Sequence, residues 1–262
     1  MMRAILLAAA LALPQAVHAH FQLIYTPENQ IERAGNVPLK LIFWHPFENG
    51  AVMEMGMPGA VWVLHRGKRI DLAPSLKAFS FQGAENAATA YDAVLPVKRA
   101  GDYVVAVEPA PYFEAAEDKF IQQFAKAYVN RAGMPTDWED ELGLPAEILP
   151  LSKPYNLIAG SSFTGRVVLN GEPVPYAEIE VEYIAAEPDM ATNSAGSATT
   201  GAMPGGAVVV RSDASGYFTF AIPRAGHWGF AALDLDEGAS HEGKPLSKDA
   251  VIWVRAYDMG GN

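Results

Sequence analysis

The chain has 262 residues, with 19 Lys and Arg against 30 Asp and Glu, a formal net charge of -11 and no cysteine. An acidic balance of this size makes a poor partner for phosphate backbones and anionic lipid heads, which sets nucleic acid and membrane surfaces aside. Without thiols there are no disulfides, no Cys-ligated zinc and no thiol nucleophile, so the fold rests on its core alone.

The first residues, MMRAILLAAALALPQAVHA, carry one charge at Arg3, an apolar run from Ala4 to Leu13, and small residues at Val17 and Ala19 where a signal peptidase reads them. They predict a cleavable signal peptide over 1–19 and a periplasmic location. The apolar run is shorter than the about 20 residues a bilayer-spanning helix needs, and no later stretch reaches that length, so direct membrane insertion is not expected. Cleavage after Ala19 makes His20 the new amino terminus, with a free amine and an imidazole on one residue.

From Phe21 to Val107 the sequence breaks into FQLIY, VPLKLIFW, AVWVLH, KAFSF, TAYDAVLPV and DYVVAVE, separated by Gly, Pro and Asn turns. Short alternating runs with such punctuation predict antiparallel strands of a sandwich. In EAAEDKFIQQFAKAYVNRAG, Phe120, Ile121, Phe124 and Tyr128 recur at helical spacing before Gly133, which predicts an amphipathic helix. Thr136 and Glu139 fit a capping box and predict a second, short helix over TDWEDEL. LPAEILPLSKPYNLIAG reads as an extended, proline-punctuated linker. A second β series follows from Phe163, with an Asn-Gly turn in NGEPVPYAEIEV and a Gly turn in SDASGYFTFAIP. The small-residue tract EPDMATNSAGSATTGAMPGG between AEIEVEY and AVVVRSD is expected to be a flexible loop.

These readings predict an all-β protein of two β-sandwich domains, Ig-like or transthyretin-like, with one or two helices between them. The expected boundaries are residues 20–150, with a helical insertion near 114–142, a linker over 151–162, and a transthyretin-like sandwich over 163–262.

Five histidines remain after processing, far apart in sequence, and no HxxxH or HExxH spacing announces a metal site. Any site must be assembled by the fold. His20 is the leading candidate, because its amine and ring can close a chelate on Ni(II), Co(II) or Cu(II); the alternative is a frayed terminus. His45, at a strand end in FWHPFENG, reads equally as a ligand or as a turn-capping ring. In MEMGMP, Glu54 is a candidate oxygen ligand and the methionines suit Cu(I), or form one face of a buried strand. His227 in AGHWGF is a further candidate, His241 lies in a polar loop, and His65 reads as an ordinary strand-end residue. There is no GxSxG elbow, P-loop or dinucleotide fingerprint, so no enzyme is expected.

The blocks HAHFQLIYTP, FWHPFENGAVMEMGMP, EDKFIQQFAKAYVNRAG, LGLPAEILPLSKPYNLIAGSSFTGRVVLNGEPVPYAEIEV and GYFTFAIPRAGHWGF together resemble periplasmic nickel-uptake accessory proteins of the NikK type. That family is found with energy-coupling-factor nickel or cobalt transporters. The resemblance implies a metal-binding component that presents Ni(II) or Co(II) to such a transporter, with His20, His45 and His227 as the matching positions. Two other readings stay open: periplasmic copper handling, including an N-terminal-His copper oxidase, and a carbohydrate-binding or adhesion sandwich.

Overall fold

The computed structural model describes residues 20–201, 207–236 and 238–260, so the expected signal peptide lies outside the described residues. The protein is all-β, as expected, and its strands form three stacked layers. The central layer runs in the order Val208–Arg211, Glu178–Tyr183, Gly226–Ala232, Lys244–Tyr257, Lys119–Arg131, Gly101–Glu108, Ala60–His65, Lys68–Asp71. On one side lies a sheet of Phe21–Tyr25, Gly35–Trp44, Ala87–Val97 and Lys77–Gln82; on the other, a smaller sheet of Ala146–Pro150, Ser162–Leu169 and Tyr217–Ala221.

Alternation along the central strands explains why both faces are covered, since successive side chains of a strand point to opposite sides. Ala125, Val251 and Trp253 join the core shared with the first sheet. Their neighbours Phe124, Ile252 and Val254 join the core shared with the second. Two hydrophobic clusters thus lie on opposite faces of one sheet.

Within EAAEDKFIQQFAKAYVNRAG, where a helix is predicted, Lys119–Arg131 is instead a strand of 13 residues. It pairs in parallel with Lys244–Tyr257, from Phe120 opposite Leu246 to Lys126 opposite Ile252, and antiparallel with Gly101–Glu108. Residues 120, 124 and 128 share a face in either conformation, because a spacing of four is two full strand periods and about one helical turn. Pairing on both edges decides for the strand. The predicted helix over TDWEDEL is absent too. The amides of Thr136, Asp137 and Trp138 donate to Asp102 Oδ2 at 2.6, 3.0 and 3.1 Å, and Thr136 Oγ1 accepts from the Asp102 amide at 2.9 Å. Thr136 and the two residues after it wrap a buried carboxylate from a neighbouring strand. Among the described residues the helical content is one 3-10 turn, Ala73–Ser75.

The tract expected to be a flexible loop folds in part. Pro188–Asp189 and Ser194–Ala195 form a small hairpin, which meets Lys77–Gln82 at Gln82 and receives the Lys40 ammonium on Asn193. Residues 202–206 of that tract lie outside the described residues. The Asn-Gly turn falls where expected: Asn170 and Gly171, at φ 51° and 82°, connect Leu169 to its partner Glu172. Both residues occupy the left-handed region that a two-residue hairpin turn requires.

Candidate metal centre

The first strand begins one residue after His20, and the Gly35–Trp44 strand ends one residue before His45. These strands are antiparallel, with Phe21 opposite Trp44. One further step of that register sets His20 opposite His45, and the ring centroids are 4.5 Å apart. Residues separated by 25 positions are thus brought face to face by pairing alone.

The short Tyr112–Glu114 strand, paired to Lys119–Ile121, closes a third side. It brings the Tyr112 ring to 5.7 Å from the His20 ring and Glu114 Oε2 to 3.5 Å from His20 Nε2. Phe43 covers the ring from within its own sheet at 5.4 Å. Glu114 is the residue of this cluster that sequence reasoning passed over. Nothing in its local pattern marks it, since it arrives through a hairpin read as part of a helix.

His45 is buried, and its loop is fixed at several points. The Gly50 amide donates to the His45 carbonyl at 3.0 Å, and the Ala185 amide donates to the Pro46 carbonyl at 3.1 Å. The Phe47 amide donates to Glu182 Oε2 at 2.8 Å. Burial holds the Glu182 carboxyl well above the usual carboxylate range, outweighing the amide that favours its charge. The strand Glu178–Tyr183 therefore braces the His45 loop.

His227 is placed elsewhere. His227 packs against Tyr25, at 5.2 Å between centroids. Tyr25 lies five residues along an extended strand from His20, roughly 16 Å at about 3.3 Å per residue. Both His227 ring nitrogens are engaged, Nδ1 by Glu187 at 3.2 Å and Nε2 by Asn29 Oδ1 at 3.1 Å, and burial pushes the ring's pKa down. Glu187 is held at about 2, first by its hydrogen bond to His227 and then by the nearby charges of His227 and Arg255. This cluster ties the small hairpin to the central sheet.

Glu54 accepts the Thr89 amide at 3.0 Å, and hydrogen bonding to the Thr89 side chain first and its backbone second lowers the Glu54 pKa. Its neighbour Met55 is buried, with Sδ accepting from Gln22 Nε2 at 3.7 Å, so that thioether belongs to the core. His65 stacks on Tyr103 at 3.9 Å and its Nδ1 lies 2.7 Å from the Asp102 carbonyl oxygen. His241 sets its ring edge-on to Phe120 at 4.7 Å. Among the described residues no group of three or more His, Asp or Glu side chains is placed to hold an ion by itself.

A family model described as "Domain of unknown function (DUF4198)" matches residues 17–236. The chain belongs to that family. No curated protein matches it. Among solved structures, it is similar to the adhesin InvE of Yersinia pseudotuberculosis at 14% identity and TM-score 0.23, covering 88% of this chain and 58% of that one. It therefore spans under two thirds of the adhesin's length. Fibronectin(III)-like modules of Clostridium thermocellum CbhA match at 10% identity and TM-score 0.21, covering 90% of this chain and 95% of theirs. A chimeric titin Z1Z2 tandem matches at 12% identity and TM-score 0.21, covering 91% and 98%. Likeness this slight assigns no function.

Proposed function

We propose that the processed chain is a periplasmic carrier that captures Ni(II) or Co(II) at His20 and His45, without catalysis, and presents the ion to an energy-coupling-factor transporter. The observation that carries the reading is the register that sets these two imidazoles 4.5 Å apart at the start of the first strand. The freed amine of His20 adds a third nitrogen donor to the two rings, so the donor set that the side chains lack is completed by the cleavage itself. Nitrogen donors suit nickel and cobalt equally, and the resemblance to nickel-uptake accessory proteins supports those two ions over others. Glu114, 3.5 Å from His20 Nε2, is placed to orient the ring from outside the coordination sphere. His227, packed on Tyr25 well along the first strand, is not part of this centre, and Glu54 is engaged by the Thr89 amide.

The same three nitrogens favour Cu(II), which heads the divalent affinity series at such sites. Calorimetric titration of processed protein with Ni(II), Co(II), Cu(II) and Zn(II) ranks the ions. Micromolar or tighter binding of Ni(II) or Co(II), lost in His20→Ala and in His45→Ala, is expected. No binding of any ion sinks the carrier reading, and oxygen-dependent turnover of the copper form replaces it with an oxidase.

A further inference from the structure

Beside the histidine pair, a cleft of about 330 Å³ opens on the face of the central sheet that is turned toward the first sheet. Five carboxyl groups line it, those of Glu117, Glu178, Glu180, Asp234 and Asp249, together with Lys119 and with His20 itself. The strand Glu178–Tyr183 explains the charge. Its residues Ile179 and Val181 enter the core on one face, so Glu178 and Glu180 must emerge on the other.

Most of these groups are already answered within the protein. Lys119 Nζ lies 2.7 Å from Glu117 and 3.1 Å from Asp234, and Arg211 reaches Glu178 at 3.3 Å. Asp249 accepts the Asp234 amide at 3.0 Å, the Ser247 hydroxyl, and Gln123 Nε2 at 3.3 Å. Glu180 is different. Its backbone is held in the ladder by Val209 and Ala231, but the residue is only 6% exposed, lines the cleft, and its carboxyl makes no hydrogen bond or ion pair to any described residue. A largely buried carboxyl that opens only on the cleft and has no protein partner is costly to ionise, and a cation in the space in front of it offsets that cost.

We propose that this cleft is an outer-sphere holding site for an aquated divalent cation, which loads the His20–His45 pair from it. The carboxylates do not converge as inner-sphere ligands, in keeping with the lack of any three-ligand cluster among the described residues. The volume is nevertheless ample for an ion that keeps its water: six waters at about 30 Å³ each occupy roughly 180 Å³. His20 in the lining makes the cleft continuous with the capture site. Burial, with Glu178, Asp249 and Glu117 nearby, raises Glu180 to about 7, which is the strain a held cation relieves. The identity of the cation rests on the carrier reading above; the cleft itself does not.

Hexaamminecobalt(III) separates the two, because it mimics an aquated cation but exchanges no ligand and cannot bind a histidine. Titrated into processed protein at low ionic strength, it is expected to bind, to weaken about tenfold or more in Glu180→Gln, and to bind His20→Ala as it binds the parent. Glu180→Gln removes no hydrogen bond, so its unfolding temperature should be no lower than the parent's; Glu178→Gln, at an exposed position, should weaken the complex in the same direction but less. Stopped-flow mixing with Ni(II) should show slower association in Glu180→Gln with an unchanged dissociation rate. Absence of hexaamminecobalt binding, or equal binding in Glu180→Gln, overturns the cleft. Hexaamminecobalt binding in a protein that fails to hold Ni(II) supports the cleft and removes the carrier reading instead.

Discussion

At the residue scale, the chemistry of the centre depends on where the chain starts. An amine buried in a peptide bond is no ligand, so a single extra residue before His20 abolishes the chelate while leaving both rings in place. We expect that extension to weaken Ni(II) binding at least as much as His20→Ala does. The loss should exceed the roughly 10- to 100-fold that removing an outer-shell partner costs. Calorimetry on the extended and processed proteins checks this, and equal affinities refute it. Affinity should also fall as pH drops below about 8, where a terminal amine becomes protonated.

Glu187 offers a second test at this scale. Its folded pKa of about 2 lies below the ordinary value of 4.5, so ionisation is favoured in the fold. The stabilisation is full above pH 4.5 and is lost as pH falls toward about 2. Since the side chain is 48% exposed, solvent screening limits the contribution to about 1 kcal/mol. Urea denaturation of Glu187→Gln should therefore show a deficit near pH 6 that closes near pH 2. A gap of constant size across that range would contradict the assignment.

At the element scale, the strand Lys119–Arg131 holds the layers together. Lys126 is fully buried and meets Glu147 of the second flanking sheet at 2.6 Å, both side chains 1% exposed. Burial alone pushes the lysine pKa down, and Glu147 draws it back. Lys126→Met leaves Glu147 buried without its cation, and we expect a loss of about 3–5 kcal/mol in urea unfolding. A loss below about 1 kcal/mol would mean that water reaches the carboxylate. The sequence misleads at this element for a definite reason. Phe120, Phe124 and Tyr128 satisfy the strand period and the helical one together, and the edge partners that choose between them lie up to about 130 residues away. By contrast, the acid-apolar alternation of Glu178, Ile179, Glu180, Val181 and Glu182 was legible as a strand with one charged face. What that face does was not, because only the stacked layers make a cleft in front of it.

At the scale of the whole molecule, the strand Lys244–Tyr257 contributes to both cores, Val251 and Trp253 to one, Ile252 and Val254 to the other. Loss of either core removes the packing that holds this strand, so the two halves should unfold together. Calorimetry and far-ultraviolet dichroism should report one coincident transition. Two separated transitions would show that residues 20–150 and 163–262 unfold as independent units.

Most of the β-strand content outside Lys119–Arg131, the positions of turns such as Asn170-Gly171, and the supply of histidines were determined by the sequence, because each follows from neighbouring residues. The pairing of His20 with His45, the distance of His227 from them, the strand at Lys119–Arg131 and the unpartnered Glu180 were decided by tertiary structure. The physical reason is register. Which residue faces which across a ladder is set by contacts between distant segments and by which face each core buries, and no local pattern carries that information.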